Sequence, residues 1–220
     1  MQNLVNFIVV IVLLFVLYIY LENRTYDVMY VKSSVDNKEY LVRNLPDKQQ
    51  AADLLAKVRG RLVALTQYLS QLDDDKLKRY SKNATLEEMK ENIERLNTRF
   101  QPDNISESTP HEKYTSYSVN KGEKIVFCLR AKNKKEQLVS ENVIVFVALH
   151  ELAHVMTKSV GHTDEFWSNF QFLLKIAVKQ KLYQNTNYNN NPVDYCGTKI
   201  TDTPLKKEDE ILNHNNDTQE

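Results

Sequence analysis

The spacing of apolar positions changes several times along this chain of 220 residues, and each change marks an element. Leu4 to Leu21 shows no period at all: 18 residues without a charge, and with Asn6 as the one amide. That length just spans a bilayer core, so the run predicts an N-terminal transmembrane helix within residues 1–23. The marks of a cleaved signal peptide, a basic region before it and a small-x-small site after it, are missing. From Tyr26 to Leu45, β-branched and aromatic residues alternate in part around Asp36-Asn37, which predicts a hairpin. Ala51, Leu54, Leu55, Val58, Leu62, Leu65, Leu69 and Leu72 then follow helical spacing, a helix of about seven turns whose stripe packs on a core. Thr85 and Glu88 form a capping box for a second helix running through Met89, Ile93, Leu96 and Phe100. Gln101 to His111 is polar, contains Pro102 and Pro110, and reads as a surface loop in which His111 is solvated. Thr115–Val119 and Lys124–Arg130 flank a turn containing Gly122 and read as another hairpin. Its second strand is apolar on both faces.

The stretch that follows carries the chemistry. Val143, Ile144, Phe146, Val147 and Leu149 make a helix apolar almost all round, with Ser140 as its N-cap and Glu141 in its first turn. Late in that helix stands His150-Glu151-Leu152-Ala153-His154. Four residues of separation stack the two imidazoles on one face, about a turn apart, so both can reach one metal ion. Glu151 is turned away from direct ligation but stays close enough to act as general base toward water at that metal. A catalytic zinc needs a third protein ligand and an open position. Gly161-His162 supplies the candidate, because a left-handed glycine ends the helix and lets His162 turn back, with Asp164 or Glu165 as substitutes. Thr163 caps a further helix to Leu182, on which Phe166 and Trp167 wall the metal pocket. Tyr195, in Pro192 to Gly197, is a candidate hydrogen-bond donor to an oxyanion.

HELAH followed by GHTDEFW resembles the zincin metalloproteases of the WLM and SprT/Spartan type, including proteins of large DNA viruses grouped with them. KIVFCLR, Lys124 to Arg130, resembles the strand that precedes the active-site helix in that family, beside which substrate can be held by β-augmentation. The likeness runs from Tyr114 to Leu182, and further to Tyr195-Cys196-Gly197. It implies an α+β zincin-like domain with the active-site helix packed on a small β-sheet. It also implies zinc held by His150, His154 and His162, Glu151 as the base, and a protein or peptide substrate.

Charge and cysteine content narrow the setting. Lys and Arg total 29 and Asp and Glu total 29, so no basic field draws nucleic acid. The two cysteines, Cys128 and Cys196, either pair in an oxidising compartment or remain thiols, and Cys128 reads first as a small core hydrophobe of its strand. Arg24, Lys32 and Lys38 follow the apolar run, which by the positive-inside rule puts the domain in the cytosol. Four N-x-S/T sequons, at Asn23, Asn83, Asn104 and Asn216, suit a lumenal domain instead. The expected organisation is an anchor over 1–23, a juxtamembrane and helical region over 24–110, a catalytic core over 111–200 and a polar tail over 201–220. The expected activity is that of a membrane-anchored zinc metallopeptidase. Its rivals are a membrane-tethered structural or adaptor protein of a virion, with zinc as a staple, and a DNA-protein crosslink protease.

Overall fold

The computed structural model describes residues 2–25, 28–81, 84–109, 112, 114–133 and 135–205, and within the first helix the side chains of 6–20. His111, His214, the sequons at Asn83 and Asn216, and the tail from 206 lie outside the described residues, as does the side chain of Asn23.

Helix α1 (Gln2–Thr25) is followed by β1 (Val28–Lys32) and β2 (Glu39–Arg43), the expected antiparallel hairpin, with Asn37 at φ 61° in its turn. Helix α2 (Lys48–Leu69) buries Ala51, Leu55, Val58, Leu62 and Leu65, so its stripe faces the core. A short helix, α3 (Asp74–Tyr80), capped by Asp73, leads to α4 (Leu86–Arg99), where Thr85 and Glu88 form both bonds of the capping box. Then come strands β3 (Ile105–Glu107), β4 (Tyr117–Val119) and β5 (Lys124–Phe127), and the helices α5 (Glu141–Met156) and α6 (Asp164–Lys179). The chain returns as a separate two-stranded hairpin, β6 (Val193–Tyr195) and β7 (Thr198–Ile200). The main sheet has the order β1-β2-β3-β5-β4, with β3 parallel to both neighbours and the outer pairs antiparallel. Strands from early and late in the chain therefore share one mixed sheet, and α2, α4 and α6 surround α5.

Three expectations are corrected. No helix among the described residues is long and apolar enough to cross a membrane. The transmembrane helix and the single-pass localisation therefore fall, and with them the orientation argued from Arg24, Lys32 and Lys38. Cys128 and Cys196 are not buried thiols but are joined in a disulfide. Finally, Gln101 to His111 contains the central strand β3, with Ser106 and Glu107 buried.

Burial of Glu107 explains why that strand looked like a loop. Its carboxylate accepts from Arg130 Nε at 2.7 Å and from the Arg43 backbone N–H at 2.7 Å. Arg130 Nη1 also donates to both oxygens of Asp47 at 2.7 Å, and Arg43 pairs with Glu136 at 2.7 Å. Asp47 stands at the N-cap of α2, yet its side chain makes no cap bond and serves Arg130 instead. Removing one partner strands a buried charge, which costs roughly 3–5 kcal/mol. Glu107→Ala should therefore lower the free energy of urea unfolding by about 3 kcal/mol or more, read by far-ultraviolet circular dichroism. A loss near that of a surface substitution would contradict a structural role for the network.

Candidate metal centre

Helix α5 can carry two half-buried histidines because eleven of its other side chains are apolar and buried, from Val143 to Met156. Its N-terminal end is fixed by Glu141, which pairs with Arg61 of α2. Ser140 takes the N-cap position with no side-chain cap bond. The C-terminal end is held more heavily. Thr157 Oγ1 donates to Ala153 O at 2.7 Å, Arg95 Nη1 donates to Met156 O at 2.8 Å, and Asn169 Nδ2 donates to Thr157 Oγ1 at 2.9 Å. The Lys121 ammonium donates to the carbonyls of Thr157, Lys158 and Ser159 at 2.9, 2.7 and 2.9 Å. Cations at this end also complement the helix dipole.

Lys121 reaches that position from the turn between β4 and β5. Asn120 and Lys121 are both left-handed, φ 46° and 53°, and Gly122 follows at φ 117°. A Cβ on Gly122 would stand 2.8 Å from both Arg99 O and Val155 Cγ1, so only glycine lets the hairpin seat against α5 beside His154. The helix ends at Thr157, earlier than expected, and Gly161 at φ 87° turns the loop four residues later. Glu165 braces that loop by accepting from the backbone N–H groups of Lys158 and Ser159 and from Ser159 Oγ. It is therefore a brace and not a substitute ligand. Thr163 caps α6 as expected, with Asp164 and Glu165 in the first turn.

These supports bring His150, His154 and His162 together, one ligand atom from each lying within 4.8 Å of the others. Their ring centroids form a near-equilateral triangle, with separations of 4.9, 5.0 and 4.9 Å. His150 Nε2 and His162 Nε2 are 3.1 Å apart. Two nitrogens on one tetrahedral zinc are ~3.3 Å apart, so the donor set and its spacing fit that ion. Burial, with help from the neighbouring imidazoles, pushes His150 down to about 3 and His154 down to about 4, where both are neutral ligands at pH 7. The Lys121 charge adds to the effect on His154.

Glu151 is 6 % exposed, and burial alone pushes its carboxyl up to about 7. Phe166 is fully buried and stacks on His154 at 4.3 Å between centroids, a floor under the cluster. Trp167 is exposed and lies 5.8 Å from His162, on the rim. Tyr195 comes near enough to Glu151 to feel its charge, but its hydroxyl is bonded to Ser116 Oγ at 2.6 Å. It can donate to an oxyanion only on leaving Ser116. Hydropathy spacing gave no sign of Lys121 or Ser116. The available signal was chemical: a lysine in an Asn-Lys-Gly turn, a conformation it does not favour unless its side chain is held.

Comparison with known proteins places this geometry in a family. The WLM domain model matches residues 35–219. The chain belongs to the WLM domain family. An uncharacterized protein of Acanthamoeba polyphaga mimivirus is 38% identical over 177 residues, covering 80% of this chain and 84% of that protein. Uncharacterized proteins of Invertebrate iridescent virus 3 and Invertebrate iridescent virus 6 are 38% and 36% identical over 72 residues each. Those two matches cover 33% and 32% of this chain and 44% and 40% of the relatives. No solved structure matches. The family is zinc-dependent and associated with metalloprotease activity, and its members here are viral.

The depressed histidines have a consequence for the metal-free protein. The unfolded chain binds protons at His150 and His154 below about pH 6.5, while the folded chain resists them until about 3 and about 4 respectively. Their contribution to stability is thus complete above about pH 6.5 and lost as pH falls toward 3. Glu151 has the opposite sign, so a Glu151→Gln background isolates the effect. Chelator-treated Glu151→Gln should show a urea midpoint that drops steadily below pH 6.5, and adding His150→Gln and His154→Gln should flatten that slope.

Proposed function

We propose that the chain is a zinc-dependent metallopeptidase that hydrolyses peptide bonds in proteins or peptides. The observation that carries this reading is the set of three imidazole donors within 4.8 Å, with Glu151 next to the first on the same helix. Zinc held by His150, His154 and His162 would supply Lewis acidity, which brings the pKa of water at such a site to about 7.

Glu151 does the proton work. Its carboxyl is buried and tuned close to neutrality, the condition under which one group can both accept and return a proton. It takes the proton of the attacking water and delivers it to the leaving amine as the carbon-nitrogen bond breaks. Phe166 keeps the underside of the cluster dry, and the Lys121 and Glu165 braces keep His162 facing His150 and His154. β4 is the edge of the sheet next to α5, and its free side can align an extended peptide by backbone hydrogen bonds. A DNA-protein crosslink is the alternative substrate that the family suggests. A net charge of zero gives that version no electrostatic help, and it predicts stimulation by DNA that weakens steeply with salt.

The test is zinc content and cleavage of an unfolded protein, measured together on the full chain, on Glu151→Gln and on His150→Ala. Wild type and Glu151→Gln should each hold close to one zinc, and Glu151→Gln should lose about 10²-fold or more in turnover. His150→Ala should lose both. Stoichiometric zinc without cleavage by wild type would favour the structural staple, and full activity in Glu151→Gln would end the assignment.

A further inference from the structure

The β6–β7 hairpin forms no rung with the main sheet, yet Tyr195 and Cys196 near its tip are buried, 3 % and 2 % exposed. Cys196 and Gly197 occupy a left-handed turn, φ 51° and 83°. Two links hold that tip. The disulfide joins Cys196 to Cys128, which immediately follows β5. The Tyr195 hydroxyl bonds Ser116 Oγ at 2.6 Å, and the same Ser116 oxygen accepts the Cys128 backbone N–H at 3.1 Å. The links close a ring, Cys196 to Cys128 to Ser116 to Tyr195, and Ser116 immediately precedes the edge strand β4. Tyr195 in turn lies within the electrostatic reach of Glu151. By contrast the histidine cluster depends on α5, Lys121 and Glu165, none of which belongs to this ring.

We propose that the Cys128–Cys196 disulfide is a redox latch on the site: it seats Tyr195 against Ser116, so that peptide hydrolysis needs the oxidised chain while metal binding does not. The claim rests on the peptidase reading above. Opening the latch takes a two-electron reductant, for example a dithiol. Its thiolate attacks one sulfur and gives a mixed disulfide and one cysteine thiol, and its second thiol then resolves the mixed disulfide. Two electrons and two protons pass to Cys128 and Cys196, and the reductant leaves as its own disulfide. With the covalent link gone, the Tyr195 hydroxyl contacts and the packing of Tyr195 and residue 196 on the core remain to hold the tip. Tyr195 is a positioning residue here, acting through Ser116 on the edge strand β4.

The test uses the zinc-loaded full chain in four forms: oxidised, reduced with a phosphine that does not strip metal, Cys128→Ser/Cys196→Ser, and Tyr195→Phe. Zinc content, amide hydrogen exchange and kcat against KM are read on each. Reduction and the double substitution should speed exchange over 193–200 by roughly tenfold or more. They should lower kcat by about tenfold at nearly constant KM, with zinc unchanged. Reoxidation should restore the wild type and not the double variant. Tyr195→Phe should lower kcat in the oxidised state and abolish the response to reductant. Unchanged exchange and kcat on reduction would overturn the latch, and so would loss of zinc together with the disulfide. An oxidised wild type that holds zinc but cleaves nothing would instead overturn the peptidase reading, and with it control of catalysis, while the exchange data would still report whether the hairpin is latched.

Discussion

Three imidazoles must converge on one point, and only two of them can be delivered by a helix. The rest of the structure serves that constraint. His150 and His154 share a face because α5 is regular, and α5 is regular because the sheet, α2, α4 and α6 cover it. The third imidazole arrives on a loop, which has no ladder of its own, so side chains must hold it. Lys121 gathers three carbonyls at the start of that loop, and Glu165 gathers two backbone N–H groups and a hydroxyl. One brace comes from the hairpin before the helix and the other from the helix after it. The loop is thereby pinned from both sides of the site by charge-assisted hydrogen bonds, which are about twice as strong as neutral ones.

The same device recurs in the sheet. β3 runs through the middle with one apolar residue in three, and it is held there by the Arg130 guanidinium and the Arg43 backbone N–H answering the Glu107 carboxylate. Arg130 also fastens the start of α2 through Asp47. Two regions that carry the fold's sharpest constraints, the central strand and the metal loop, are therefore secured by buried or partly buried ions and not by apolar contact.

That division explains what was legible in the sequence. Helices α2, α4, α5 and α6 announce themselves through apolar spacing and caps such as Thr85 and Thr163, and the metal cluster follows from spacing within α5 plus Gly161-His162. Features secured by ionic or covalent links between distant residues leave no periodic trace. Ser106 and Glu107 look solvated until Arg130, more than twenty residues on, is placed beside them. Strands β6 and β7 have three residues each, too few for alternation to register. Pairing of Cys128 with Cys196 depends on the chain returning across 68 residues. The apolar N-terminal run misled for a different reason: composition alone suggested a bilayer span, and no helix among the described residues is long and apolar enough to be one.

The central claim is that one zinc ion is held by three histidines of this chain with a position left open. X-ray absorption at the zinc edge of the metal-loaded full chain tests it directly. The account predicts four light ligands at ~2.0 Å, with the outer-shell scattering of three imidazoles. A sulfur shell at ~2.3 Å, or a signal without imidazole scattering, would contradict it.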